Sequence, residues 1–244
     1  MYYSICGLTV EMNPRCQLLR QRAEKYRIEE ECVECDFSID ITEERIDEHI
    51  KAFKGLSREL AEYVLCGVEF YSKILDCDAF FLHSSAVEYE NRAYLFTAPC
   101  GGGKSTHTSL WRKIFKECRM INDDKPVIRK INGVLCACGT PFSGKNDINS
   151  NIIVPLQAIC EIEKAEENSI VRLTPEEAFG VLIEQTLRTV PKKRAEALLS
   201  LMDDVLTNIP VYRLFCNIQP EAAYISYREM SSAAAIGTDE AASE

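Results

Sequence analysis

The stretch Tyr94-Leu95-Phe96-Thr97-Ala98-Pro99-Cys100-Gly101-Gly102-Gly103-Lys104-Ser105-Thr106 decides how this chain folds. A short apolar run enters three successive glycines and leaves through Lys-Ser-Thr into an amphipathic segment. Residues without side chains let consecutive backbone N–H groups converge on phosphate oxygens at the positive end of a helix. The lysine adds a cation for the outer phosphates, and the Ser105 hydroxyl suits a Mg²⁺ ion. The pattern therefore predicts strand, phosphate loop and helix, with a nucleoside triphosphate held by Ala98, Pro99, Cys100, Gly101, Gly102, Gly103, Lys104, Ser105 and Thr106. There is one departure. Ala98 stands where the usual pattern G-x-x-x-x-G-K-[S/T] has its first glycine. A merely structural glycine-rich link is the plainer alternative, and three glycines in a row are more than such a link requires.

After the loop, Thr108, Leu110, Trp111, Ile114 and Phe115 keep helical spacing on one face, with Arg112, Lys113, Lys116 and Glu117 on the other. Trp111, the only tryptophan, reads as core. Met120-Ile121-Asn122-Asp123-Asp124-Lys125-Pro126 then gives a brief strand ending in two acids. Near phosphates, one carboxylate would hold Mg²⁺ and the other would take the proton of an incoming hydroxyl. We assign Asp124, with Ser105, to the metal and Asp123 to the base. A solvated Asp-Asp-Lys-Pro turn is the alternative. Upstream, Ala79-Phe80-Phe81-Leu82-His83-Ser84-Ser85-Ala86-Val87 reads as one strand carrying a histidine, and residues 88–92 as the turn back to the loop-bearing strand. A lone histidine on an apolar strand is more often a satisfied core residue.

The order Leu-His, hairpin, Gly-Gly-Gly-Lys-Ser, Asp-Asp resembles the catalytic core of bacterial HPr kinase/phosphorylases and ATP-dependent phosphoenolpyruvate carboxykinases. The resemblance covers roughly residues 79–165. It implies an α/β fold with a mixed, strongly bent sheet around a P-loop, ATP and Mg²⁺ as cofactors, and phosphoryl transfer to a hydroxyl. By the same resemblance, residues Gly101 to Ser105 bind phosphate and metal, Asp123 or Asp124 is the base, and His83 sits beside it. Residues 139–146, Gly-Thr-Pro-Phe-Ser-Gly-Lys-Asn, resemble a loop of short bacterial members of this superfamily, and Lys145 would bring a cation to the site; an ordinary turn with an exposed lysine is the alternative. The chain departs from both named families. It lacks the separate N-terminal domain of HPr kinase and is shorter than a complete carboxykinase.

Composition narrows the function classes. With 244 residues and 46% apolar side chains, the chain is long enough for one sizeable core, and nothing in its interior reads as a flexible linker. A net charge of −10 argues against broad binding of nucleic acid or anionic membrane. The N-terminus has no basic segment followed by a long apolar one, and no apolar run approaches the ~18 residues of a membrane span, so a cytoplasmic protein is expected. Of the twelve cysteines, Cys32-x-x-Cys35 and Cys136-x-Cys138 have no second knuckle to complete a zinc site. Cys6, Cys66, Cys77, Cys160 and Cys216 read as small buried hydrophobes, and Cys100, within the loop, as a modification site rather than a nucleophile.

The remaining segments complete a single domain over residues 1–230. Residues 1–55 read as a strand layer. Cys6, Leu8, Val10 and Met12 form one alternating strand, Val33, Cys35, Phe37, Ile39 and Ile41 another, and Ile46, Ile50 and Phe53 mark a short helix after Thr42. Ser57 caps a longer helix whose buried face is read as Leu60, Val64, Val68, Tyr71 and Leu75, with Glu59, Glu62 and Glu69 exposed. Strands are expected at 133–138, 156–162, 170–173 and 211–216. Helices are expected from the Thr174-Pro175-Glu176-Glu177 capping box to about Thr189, over 192–207 and over 220–230. The helical C-terminal part thus spans residues 174–230, and the alanine-rich acidic tail 231–244 reads as disordered. The sequence thus predicts an ATP- and Mg²⁺-dependent kinase acting on a small-molecule or peptide hydroxyl. A nucleotide sensor without chemistry and a carboxykinase-type lyase are the alternatives.

Overall fold

The computed structural model describes residues 1–29, 34–186 and 192–232. In chain order the elements are β1 Tyr2–Ile5, β2 Leu8–Met12, α1 Gln17–Ala23, β3 Arg27–Ile28, β4 Phe37–Ile39, α2 Glu43–Ala52, α3 Arg58–Lys73, β5 Ala79–Phe81, β6 Ser84–Tyr89, β7 Arg92–Thr97, α4 Lys104–Ile114, β8 Arg119–Asn122, β9 Val127–Ile131, β10 Val134–Cys138, β11 Ile153–Lys164, β12 Ser169–Arg172, α5 Pro175–Glu184, α6 Lys192–Asn208, β13 Val211–Cys216 and α7 Pro220–Ser232. Four strands form an N-terminal sheet in the order β3-β1-β2-β4, and nine form a second, mixed sheet.

The larger sheet bends because β11 is shared. Its first residues pair antiparallel with β10, its last six pair parallel with β13, and a bulge between Leu156 and Ala158 breaks its register with β7. On the other side of β7 lie β6 and then β8, both antiparallel steps. Side chains alternate across this sheet. Leu95 and Ile159 enter a core with α5 and α6, whereas Tyr94, Phe96, Cys160 and Ile162 enter one with Trp111 and the α7 residues Ala222, Ala223 and Met230. Two helical layers thus sandwich β7 between them.

Several expectations need correction. The strand read through His83 is two: β5 pairs with β9, β6 pairs with β7 and β8, and Leu82-His83 forms the break between them. Cys6 lies in a hairpin turn rather than a strand, since Cys6 and Gly7 both have positive φ (57° and 73°) and reverse the chain between β1 and β2. Helix α1 was not legible in the sequence, and α5 ends at Glu184 rather than near Thr189, whose neighbourhood at 187–191 lies outside the described residues. The strand read at 33–41 is regular only over Phe37–Ile39, and Cys32 and Val33 lie outside the described residues. Of the expected tail, Ser231 and Ser232 belong to α7 and the rest lies outside the described residues. Cys77 is half-buried, while Cys6, Cys66, Cys160 and Cys216 are buried as expected.

The largest misreading concerns α3. Leu60, Val64 and Val68 are exposed, whereas Tyr71 and Leu75 are buried as read, and the rest of the buried face is Tyr63, Cys66, Gly67 and Phe70. Two apolar stripes compete on this helix, and the one bearing aromatic groups wins because it meets Phe142, whose ring closes on Gly67 and contacts Tyr63, Phe70 and Tyr71. Glu62 turns inward as well. Its carboxylate accepts from the backbone N–H groups of Arg15 (2.5 Å) and Cys16 (2.8 Å), capping α1, which has no side-chain cap of its own. Glu62→Ala is expected to cost about 1–3 kcal/mol by stranding those donors. Urea unfolding measures it, and an unchanged midpoint would refute the capping role.

Candidate functional site

The pairing of β6 with β7 and β8 brings the residues singled out above to one sheet end. Ser84 pairs with Thr97 and Ala86 with Asn122, so His83, Ala98 and the Asp123-Asp124 corner all follow the ends of neighbouring strands. Cross-links fix the corner. Thr97 Oγ1 donates to the His83 carbonyl at 2.9 Å, Ser84 N–H to the Asp124 carbonyl at 3.1 Å and Ser85 Oγ to the Asp123 carbonyl at 2.8 Å. The buried Asn122 side chain completes it, its Oδ1 accepting from the Asp124 and Lys125 N–H groups (2.9 and 2.7 Å). This is turn chemistry, as the sequence allowed, built into the site rather than left in solvent.

The glycine turn has the conformation that glycine alone adopts easily. Gly101 and Gly103 have φ of +75° and +111°, and α4 begins at Lys104 with no side-chain cap on its first N–H groups. Gly102 explains the departure at Ala98: a Cβ there would lie 2.6 Å from the Ala98 Cβ, so the missing side chain of Gly102 makes room for the methyl of Ala98. Lys104 is buried, and its ammonium donates to the Ala98 carbonyl at 2.9 Å. Burial lowers its pKa and the nearby Asp124 charge opposes that shift, which places the two groups within electrostatic reach. Ser105 and Thr106 are exposed, as is Cys100.

The two acids differ in environment. Burial alone would raise the pKa of Asp124, but the His83 hydrogen bond and the Lys125 ammonium override it and hold the carboxyl at about 2. His83 Nε2 lies 3.2 Å from Asp124 Oδ1 and its Nδ1 3.1 Å from Gln185 Oε1, so both ring nitrogens are engaged. The His83 N–H also donates to the Gln185 carbonyl at 2.7 Å. Lys125 Nζ contacts Asp124 Oδ2. Asp123 faces the other way: burial raises its pKa, partly offset by the Gly144 N–H, which donates to Oδ1 at 2.6 Å, and reinforced by the Asp124 charge. His83 therefore sits against Asp124, the acid assigned to the metal.

Loop 139–149 reaches Asp123 through its backbone. Lys145 is exposed, whereas Gly144 makes the contact, and a Cβ at Gly144 would lie 2.9 Å from an Asp123 oxygen. The N-terminal layer holds this loop. Tyr63 Oη accepts from Ser143 N–H (2.8 Å), Tyr26 Oη donates to Asn149 Oδ1 (2.7 Å), and Arg22 lies over the Tyr63 ring while donating to its hydroxyl at 2.7 Å. Gly144→Ala is expected to push the Asp123 carboxylate aside and lower turnover at least about tenfold, since a displacement near 1 Å has that effect on aligned groups. Single-turnover rates test this, and an unchanged rate would detach the loop from the site.

Gln185, Asn122, Gly144 and Lys125 were not assigned site roles from sequence. Asn122 and Lys125 carried a signal as neighbours of the acids in a turn-forming run, and Gly144 as part of the 139–146 loop, whose expected contact was Lys145. Gln185 comes from the end of a helix far along the chain and has no local pattern. Among the described residues no group of three or more His, Cys, Asp and Glu side chains is arranged to hold a metal by itself. Nor is any described helix long and apolar enough to cross a membrane.

No family model matches the chain, and no curated protein is similar to it. Among solved structures, it is similar to the Hpr(Ser) kinase/phosphatase from Coxiella burnetii, with a TM-score of 0.37 and 9% identity over 61% of this chain and 89% of that one. This is a distant likeness of fold, and none of the residue assignments rests on it.

Proposed function

We propose that the protein is an ATP- and Mg²⁺-dependent kinase that transfers a phosphoryl group to a hydroxyl of a small molecule or peptide. The observation that carries this reading is the meeting of Lys104 and its glycine turn with Asp123, Asp124 and His83 at the joined ends of β6, β7 and β8. The P-loop-like sequence and its resemblance to HPr kinase point the same way. The backbone of residues 101–105 would receive the donor phosphates, and Lys104 would exchange the Ala98 carbonyl for them.

The residues present fit a Mg²⁺ ion that takes most of its shell from phosphates and water. Ser105 offers an exposed hydroxyl and Asp124 a carboxyl ionised at every physiological pH. When bound, the ion would supply positive charge to offset the negative charge of the phosphates. Asp123, with its raised pKa, suits the base that takes the acceptor's proton, because a base works best when its pKa lies nearer the working pH. His83, locked by Gln185, would orient Asp124. Alignment and charge compensation would supply most of the rate.

Ser105→Ala tests the metal assignment. It is expected to raise the Mg²⁺ concentration needed for half-maximal turnover at least about tenfold while changing metal-free ATP binding little, a loss in keeping with one charge-assisted ligand. Equal effects on both quantities would remove Ser105 from the metal.

A further inference from the structure

A cavity of about 880 Å³ opens beside the glycine turn, on the side away from the acidic corner. Its walls are the first turns of α4, the end of β11 and the residues just after β13. Since β11 and β13 lie on one side of β7 and β6 and β8 on the other, the cavity and the Asp123-Asp124 corner flank the turn from opposite sides. A ligand whose phosphates lie on residues 101–105 can therefore extend its remaining half into this cavity.

The chemistry of the walls fits an aromatic base. Leu110, Ile162 and Ile218 present apolar surface, and Ile218, 74% exposed, forms the lip. The cavity's size falls within the range of small-molecule sites. Three of its polar side chains are hydrogen-bonded elsewhere, while Ser105, Thr106, Ser109 and Lys113 are exposed along its α4 wall. Asn217 Nδ2 donates to the Glu166 carbonyl at 2.6 Å, its Oδ1 accepts from Gln219 N–H at 2.9 Å, and Lys164 Nζ donates to the Gly101 carbonyl at 2.9 Å. His107 is buried, with its Nε2 3.1 Å from both Trp111 Nε1 and Ser226 Oγ. Among the described residues no carboxylate lines the cavity, and both ends of its one side-chain amide are already engaged.

We propose that this cavity holds the nucleoside half of the donor, gripping the base by apolar contact among Leu110, Ile162 and Ile218, so that purine nucleoside triphosphates bind with little regard to the base. The proposal rests on the nucleotide reading given above and adds a direction to it: the base lies toward β13 and the transferred phosphoryl toward β8. Weak discrimination follows from the walls, because an apolar pocket separates similar ligands far less sharply than one whose buried polar groups must be matched.

Calorimetric titration of the full chain with Mg²⁺ and ATP, GTP or inorganic tripolyphosphate tests this. ATP and GTP are expected to bind within about tenfold of each other, and both at least about tenfold tighter than tripolyphosphate. Ser109→Trp, which fills the cavity from an exposed position on α4, should weaken ATP and GTP by about thirtyfold or more and leave tripolyphosphate unchanged. Ile218→Ser, at the exposed lip, should do the same more mildly and guards against misfolding of the first variant. Tripolyphosphate binding as tightly as ATP, or ATP unaffected by both substitutions, would overturn the nucleoside site while leaving the phosphate loop standing. Preference for one purine above a hundredfold would overturn the apolar reading of the base. Binding of none of the three ligands would overturn the nucleotide reading itself.

Discussion

Asp123→Asn is expected to leave Mg·ATP binding nearly intact and to cut turnover by about 10²- to 10⁴-fold, the usual contribution of a general base. Asp124→Asn is expected to differ in kind, weakening Mg·ATP binding first and turnover with it. The difference follows from where each carboxyl sits. Asp124 is held at about 2 by His83 and Lys125 and lies within reach of Lys104, so its lasting charge suits a cation. Asp123 has a pKa raised by burial, and the Gly144 N–H donates to its Oδ1 at 2.6 Å, so its second oxygen is the one proposed to meet an acceptor hydroxyl. Isothermal binding of Mg·ATP alongside initial rates separates the two. If both variants bind and turn over like the parent, the base and metal assignments fall together, and a nucleotide sensor without chemistry becomes the better account.

Lys104→Ala is expected to abolish nucleotide turnover and to weaken ATP binding by about 2–3 kcal/mol, the range of a charge-assisted contact, with the fold intact. The fold should survive because the ammonium has a single hydrogen-bond partner among the described residues, the Ala98 carbonyl, and alanine favours the helix that starts there. Burial of Lys104 sharpens the expectation. An ammonium already stripped of much of its water, and offset chiefly by Asp124, gains more from a phosphate than an exposed lysine would. Circular dichroism with an ATP titration reads both halves of this prediction. Unchanged ATP affinity would remove the phosphate assignment of the turn.

Legibility in the sequence varied with how local the determining physics was. The glycine turn, the helix after it, the 174–177 capping box and β13 all rest on short-range rules of turn geometry, capping and alternation, and each appears where those rules place it. The buried face of α3 was misread because two apolar stripes satisfy the same periodicity, and only the distant Phe142 and the α1 terminus choose between them. The break at Leu82-His83 was hidden for a related reason. A continuous apolar run cannot reveal that its two halves pair with different neighbours. At the site, the residue types carrying charge were legible, but their partners were not: Gln185 behind His83 comes from a remote segment with no local signature, and the 139–146 loop touches Asp123 through the Gly144 backbone rather than through Lys145. Ala98, the departure from the usual loop pattern, turned out to be matched by Gly102, a compensation that only the packing shows.

The account stands most directly on the transfer of a phosphoryl group from a nucleotide bound at residues 101–105. Wild-type protein, Asp123→Asn and Lys104→Ala are incubated with γ-labelled ATP, Mg²⁺ and a panel of hydroxyl-bearing metabolites and peptides, and ADP release and labelled acceptor are followed together. The account predicts ADP and a labelled hydroxyl acceptor with the wild type, a rate lower by about 10²-fold or more with Asp123→Asn, and neither product with Lys104→Ala. ATP bound tightly by the wild type, with no ADP formed toward any acceptor or water, would contradict it.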